Sequence, residues 1–156
     1  MIKLSRITDY GIVLLAHLAG SDDGSTRSAR EVARETRLPA PVVSKILKSL
    51  ARQGLLVSHR GTKGGYSLAR SPEEISVPEM IGALEGPIGL TQCTVHPGAC
   101  AQEATCHVRE PWQQINQVVR DALGEITLAD LATPPVPGSI VPLKSLGVDT
   151  ANLTEA

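Results

Sequence analysis

The chain has 156 residues, enough for one compact domain or for a small domain with an extension. Apolar residues make up 42% of it and can form a core, but aromatic residues make up only 2%, which argues against a protein that stacks single-stranded nucleic acid on its rings. No apolar run is long enough to cross a membrane and no signal-peptide pattern opens the chain, so we expect a cytoplasmic protein with no membrane partner.

The charge is distributed unevenly along the chain. Residues 24–70 contain ten Lys or Arg and two acidic residues, a net charge of +8, whereas the rest of the chain carries −9. A basic segment of this size attracts a polyanion locally even when the whole protein is nearly neutral. Charge alone fits a nucleic-acid interface and an ordinary solvated surface equally well.

Two helices are predicted near the start of the chain. The apolar pattern predicts an amphipathic helix over residues 8–19, with Thr8 or Asp9 as its N-cap. A polar, glycine-containing loop follows. Ser28 and Glu31 then have the spacing of a capping box, which begins a short helix that must end before two nearby prolines.

A third helix and a hairpin complete the outline of a winged helix. Pro41 suits the first turn of a helix that runs to about Gln53 and is ended by Gly54. The inner stripe of this helix is apolar and consists of Val43, Ile46, Leu47 and Leu50. The opposite stripe is polar and basic and consists of Pro41, Ser44, Lys45, Lys48 and Arg52. Short strands over residues 55–57 and 66–68 flank a glycine-rich turn.

The second half of the chain is predicted to hold a small helix over 78–84, a cysteine-bearing loop over 86–110 and a long helix from Pro111 to about Ile126. Apolar residues recur on the long helix at spacings of three and four, at Trp112, Ile115, Val119, Ala122 and Ile126. Such a stripe requires a packing partner, which is either its own domain or, as we expect, a second subunit in a homodimer. Residues 133–156 contain four prolines and are predicted to be a disordered tail.

The second helix of a helix–turn–helix enters the major groove of DNA, and a wing reaches phosphates or the minor groove. Together with the +8 segment, this arrangement predicts that the partner is double-stranded DNA. The predicted DNA contacts are Arg27, Ser44, Lys45, Lys48, Arg60 and Lys63.

All three cysteines lie within fourteen positions, at Cys93, Cys100 and Cys106, in a loop that also carries His96, Glu103 and His107. Structural zinc sites place two ligands closer together than spacings of six and five allow, so the pattern favours an iron–sulfur cluster. Three cysteines leave one cluster position for another ligand. Spacing alone does not separate a cluster from zinc or a thiol switch.

These residues, in this order, resemble a known family. The motifs are TDYG on the first helix, LPAPVVSKILKSLARQGLL, the wing RGTKGGYSLAR, the three-cysteine loop and PWQQIN on the long helix. Over residues 1–132 they resemble the winged-helix iron–sulfur transcriptional regulators that include IscR and NsrR, and most of all the branch that regulates the SUF cluster-assembly operon. The resemblance implies a homodimer with one iron–sulfur cluster per subunit, of 2Fe-2S or 4Fe-4S type.

The resemblance also implies the cluster ligands. The three family cysteines fall on Cys93, Cys100 and Cys106, and the wing arginine falls on Arg60. The position that histidine fills in IscR is occupied by Arg109, which cannot bind iron. NsrR-like regulators use an aspartate of the first helix from the other subunit, and Asp9 stands at that place. His107 is the alternative fourth ligand.

The sequence therefore predicts a mainly α-helical protein with a small β-wing: a winged helix–turn–helix followed by a long dimerisation helix. The expected domains are a DNA-binding domain over 1–72, a small helix with the cysteine loop over 73–110, a dimerisation region over 111–132 and the tail. The expected function is a cluster-sensing, redox-responsive repressor of SUF-type assembly genes. The alternatives are an NsrR-like repressor that senses nitric oxide and a zinc-stabilised winged-helix module. An enzyme is not expected, because no cysteine lies beside a clear base and no nucleotide motif is present.

Overall fold

The computed structural model describes residues 4–20, 25–61 and 64–133. The predicted polar loop lies partly, and the predicted tail almost wholly, outside these ranges. The helices are α1 (Arg6–Ala19), α2 (Ala29–Thr36), α3 (Ala40–Arg52), α4 (Val77–Glu85), α5 (Gln92–Val95), α6 (Arg109–Gly124) and α7 (Leu128–Ala132). Two strands, β1 (Leu56–His59) and β2 (Gly65–Leu68), form an antiparallel hairpin. The predicted fold class, mainly helical with a small wing, is confirmed.

The helix–turn–helix forms as its sequence signals predict. Ser28 and Glu31 make a reciprocal capping box at the start of α2, and Arg37 ends that helix in the left-handed conformation. Pro39 is the N-cap of α3, and the predicted inner stripe of α3 is buried at all four positions. Burial of one such side chain contributes about 1.5–3 kcal/mol, so this stripe fixes α3 against the core and leaves its polar stripe outside.

The core is one cluster that extends beyond the hairpin. It combines leucines of α1 and α3 with later residues that lie just before α4, in α4 and in α7, and these later members are Ile75, Val77, Met80, Ile81 and Leu128. The predicted boundary at residue 72 therefore does not coincide with a break in the core. Pairing of Ser76 with Thr127 brings the chain after α6 back to the start of α4.

The N-cap predicted for α1 was wrong. Ser5 caps this helix, because its Oγ accepts a hydrogen bond of 3.2 Å from the Thr8 amide. Thr8 lies inside the helix and is fully buried, and its hydroxyl donates to Glu85 at the end of α4 over 2.6 Å. This bond, together with bonds from Ser5, lowers the pKa of Glu85. The carboxylate therefore joins the start of α1 to the end of α4.

The wing is anchored to the segment before α2. The backbone of Arg27 pairs with that of Tyr66 in both directions, over 3.0 and 2.8 Å. A Cβ at Gly65 would lie only 2.3 Å from the Arg27 carbonyl oxygen, so glycine is required for this close approach. The pairing adds a third short extended segment beside the hairpin.

The long helix begins earlier and ends earlier than predicted. Ile126 lies beyond α6; its carbonyl accepts a hydrogen bond of 2.9 Å from the Val77 amide and its side chain packs against the core. Placing Ile126 on the stripe of the long helix was therefore wrong.

Asn116 faces inward from α6, where its Oδ1 accepts a hydrogen bond of 3.0 Å from the Leu90 amide. In the part of the chain that the structure describes, no helix is long and apolar enough to cross a membrane.

Candidate nucleic-acid interface and metal centre

The polar stripe of α3 and the hairpin enclose an open groove of about 540 Å³. Its walls carry the predicted contacts Lys45 and Lys48, with Arg52 one turn further along α3. All three basic side chains are exposed, and none forms an ion pair with another described residue. Their charges are therefore available to a phosphate backbone.

Three polar residues that line this groove were not among the predicted contacts. Arg52 belongs to the predicted polar stripe of α3, and its spacing of four from Lys48 is the signal that identifies it. Ser58 and Tyr66 reach the groove from facing positions of β1 and β2. Only the strand register places them there, so the spacing of residues along the chain does not reveal them.

The remaining predicted contacts lie in different surroundings. Arg60 is exposed just after β1, and Ser44 is half-buried on α3. Arg27 is partly exposed, and its Nη1 lies 3.6 Å from the Glu35 carboxylate, so its charge is partly neutralised within the domain. Lys63 lies outside the described residues.

The predicted dimer stripe is largely open to solvent. Trp112 is 41% exposed, Ile115 46% and Val118 51%, whereas Val119 and Ala122 are half-buried. Val118 was not on the predicted stripe, but it lies one turn from Ile115 on the same face. A contiguous apolar face on one helix is therefore left without a partner from the described part of the chain.

The three cysteines are free thiols at three points of the loop between α4 and α6. Cys93 lies in α5, where its Sγ is 3.2 Å from the Thr91 hydroxyl. Cys100 lies at a bend, and Cys106 follows a single 3₁₀ turn over Glu103–Thr105. All three are half-buried.

The donor chemistry fits an iron–sulfur cluster, because thiolates in one loop are its characteristic ligands. Among the residues that the structure describes, however, no three His, Cys, Asp or Glu side chains gather closely enough to hold a metal ion. The loop supplies ligands of a suitable type for such a cluster.

The candidate fourth ligands lie at separate places. Asp9 is exposed in the first turn of α1, and His107 is exposed just after Cys106. Arg109 begins α6, and its guanidinium forms an ion pair of 3.0 Å with Glu103. The sequence did not predict this ion pair.

Sequence comparison now identifies the family. A family model described as "Rrf2: Iron-dependent Transcriptional regulator" matches residues 4–134. The chain belongs to the Rrf2 family. It is therefore similar to winged-helix transcriptional regulators that bind DNA, and not to enzymes.

Individual Rrf2 relatives agree with this assignment. The chain is 33% identical over 131 residues, 83% of this chain and 87% of the relative, to a protein of Synechocystis named as an HTH-type transcriptional regulator. The structure of CymR, the global cysteine regulator of Bacillus subtilis, is similar with a TM-score of 0.66 and 30% identity, covering 85% of this chain and 97% of that one. The structure of IscR from T. potens is similar with a TM-score of 0.62 and 28% identity, covering 83% and 85%.

Proposed function

We propose that this Rrf2-family protein is a repressor of SUF-type iron–sulfur assembly genes that responds to an iron–sulfur cluster held by Cys93, Cys100 and Cys106. The observation that carries the proposal is the presence of three free thiols in one loop that leads directly from the winged-helix core to α6. The iron-dependent description of the family and the likeness to IscR support the same assignment.

The chain's own residues supply the DNA-binding side of this function. Lys45, Lys48 and Arg52 line a groove between α3 and the wing, and Arg60 extends the basic surface past β1. Phosphate contacts of this kind give affinity and register, while sequence is read by side chains of α3 in the major groove. Two such domains in a homodimer would engage two half-sites at a fixed spacing.

A route from the cysteine loop to α3 passes through α1. The proposed fourth ligand is Asp9 of the partner subunit, in the first turn of α1. A Cβ at Gly11 of the same helix would lie 3.5 Å from Ile46 of α3, so the two helices are in direct contact. The three thiolates would hold an iron–sulfur cluster, which when bound would supply a group sensitive to oxidation and to iron supply. A shift of α1 would then alter the spacing between the α3 helices of the two subunits.

The function is tested by purifying the full chain without oxygen and recording its visible spectrum, iron content and sulfide content. The DNA affinity of the loaded and cluster-free protein is then compared on promoter DNA of SUF-type genes from the same genome. A brown protein whose DNA affinity depends on the cluster supports the proposal. A colourless, zinc-loaded protein contradicts it, and a response to nitric oxide alone assigns the NsrR-like role instead.

Arg60→Ala is expected to weaken operator binding by about 1–3 kcal/mol if Arg60 reads a base or groove. The reason is that Arg60 is an exposed cation directly after β1, with no ion-pair partner among the described residues. A gel-shift titration at fixed salt measures the effect. Arg120→Ala removes the same charge from the exposed side of α6 and serves as the control. Equal affinities for both variants would remove Arg60 from the interface.

Asp9→Ala is expected to leave a folded dimer whose cluster is more labile or has altered absorption. A carboxylate binds iron less strongly than a thiolate, so it suits a ligand that must be released during sensing. His107→Ala is expected to have a much smaller effect and is the matched comparison. Spectra and cluster lifetimes are measured without oxygen. Loss of the cluster in His107→Ala with an unchanged Asp9→Ala would assign the fourth position to His107.

A further inference from the structure

Glu103 connects three parts of the cysteine loop through its two carboxylate oxygens. Oε2 accepts a hydrogen bond of 2.6 Å from the Gly98 amide, and Oε1 lies 3.0 Å from Nη2 of Arg109. Gly98 precedes Cys100, Glu103 lies between Cys100 and Cys106, and Arg109 follows Cys106. We call this set of contacts, formed by Gly98, Glu103 and Arg109, the Glu103 clamp.

The clamp organises a loop that has little apolar burial of its own. Between residues 96 and 109, the only residues that are not exposed are Cys100, Glu103, Cys106 and Arg109. The Glu103 side chain is only 12% exposed, which is unusual for a carboxylate and is tolerated because both of its oxygens are bonded. Gly98 has a φ of 84°, a left-handed conformation that glycine adopts without strain while its amide donates to Glu103.

The clamp is closed in an arrangement in which the three thiols do not gather at one point. While Glu103 bonds Gly98 and Arg109, no three ligand-type side chains of the described residues gather at one point. Cys100 and Cys106 alternate along the chain with the clamp residues, so a backbone shift that brings these two thiols together acts on the segment that the clamp holds.

We propose that the Glu103 clamp is a latch that stabilises the cluster-free arrangement of the cysteine loop and opens when the thiols take up a cluster. This inference rests on the proposed function, since it assigns Glu103 and Arg109 as positioning residues for that site. An interaction made in only one of two states shifts the equilibrium toward that state. The latch consequently limits cluster retention, and it lets the loop return to a defined arrangement after the cluster is lost.

The first experiment uses the full chain without a cluster. Glu103→Gln keeps the size of the side chain but removes its charge, which weakens both contacts of the clamp. Alkylation of Cys100 and Cys106 by iodoacetamide, followed by mass spectrometry, is expected to become at least about threefold faster because the loop opens more often. The control is Glu110→Gln, a nearby exposed carboxylate with no ion pair to a described residue. Equal rates for the two variants overturn the latch.

The second experiment measures how long the loaded protein keeps its cluster against a ferrous-iron chelator without oxygen. Glu103→Gln is expected to lengthen this lifetime at least about threefold, and adding Arg109→Gln should change it little further because both variants open the same clamp. A loop that is merely damaged would lose its cluster faster, so a shorter or unchanged lifetime overturns the latch. If the unaltered chain takes up no cluster, the proposed function fails, while the alkylation rates still decide whether the clamp holds the loop.

Discussion

We expect that replacing two exposed apolar residues of α6 with glutamate (Ile115→Glu, Val118→Glu) converts the proposed dimer into a monomer. Both side chains lie on the apolar face that the described part of the chain leaves uncovered. Two charges buried in a subunit interface without partners cost several kcal/mol, enough to shift a dimer to monomers at micromolar concentration. Sedimentation velocity over a range of protein concentrations measures the change.

A matched control places the same change of charge on the opposite side of α6. Gln113→Glu with Arg120→Gln also adds two negative units, at exposed positions about half a turn away from the apolar face. This control is expected to remain a dimer. If the double glutamate variant also remains a dimer, the subunits meet elsewhere and the apolar face of α6 has another role.

In the proposed function, Asp9 links dimerisation to sensing. A ligand from the partner subunit completes the site only in a dimer, so the monomeric variant is expected to hold a cluster as poorly as Asp9→Ala does. The expectation follows from the exposed position of Asp9 in the first turn of α1 and from its proposed role as a ligand to the partner subunit's site. A monomer that keeps a stable cluster would show that the fourth ligand comes from its own subunit.

The helix–turn–helix could be predicted from sequence because its signals are local. The capping box of Ser28 and Glu31 and the apolar stripe of α3 depend on spacings of three and four residues, and both appear in the structure as predicted. The hairpin likewise follows from two short apolar runs around glycines. Local patterns of this kind specify the type of an element and most of its length.

The errors arose where a distant contact decides the outcome. Thr8 has a side chain that can cap a helix, but its hydroxyl donates to Glu85, which lies 77 residues away. Ser5 caps α1 instead. Ile126 fits the periodicity of the long helix, yet its carbonyl pairs with Val77 and the helix ends at Gly124. Neither contact can be inferred from the spacing of residues along the chain.

The candidate site was likewise predicted only in part from the sequence. The basic stripe of α3 was visible in the sequence, whereas Ser58 and Tyr66 join the groove only through the register of β1 and β2. The three cysteines were visible as a spacing, but the pairing of Arg109 with Glu103 was not, because only the folded loop brings these two side chains together. Sequence patterns reveal the residues that have characteristic chemistry, whereas only the three-dimensional structure reveals the residues that position them.

Replacing any one of the three cysteines with alanine (Cys93→Ala, Cys100→Ala or Cys106→Ala) is expected to reduce the cluster content to below about a tenth of that of the unaltered chain. Each change removes one of three thiolates, and altering even the residues that orient metal ligands costs about 10–100-fold in metal affinity. Iron and sulfide content and visible absorption after reconstitution without oxygen measure the loss. Thr105→Ala changes a neighbouring polar residue of the same loop and is expected to keep the cluster.

The same cysteine variants are expected to keep the fold of the DNA-binding part, because no cysteine belongs to the buried core. Their unfolding temperature should therefore match that of the cluster-free parent chain, whereas a substitution in the buried stripe of α3 would lower it. The variants can therefore represent the folded, cluster-free protein in DNA titrations. If their operator affinity equals that of the loaded parent, the cluster does not control DNA binding, and the regulatory part of the proposed function is wrong even though the metal site is present.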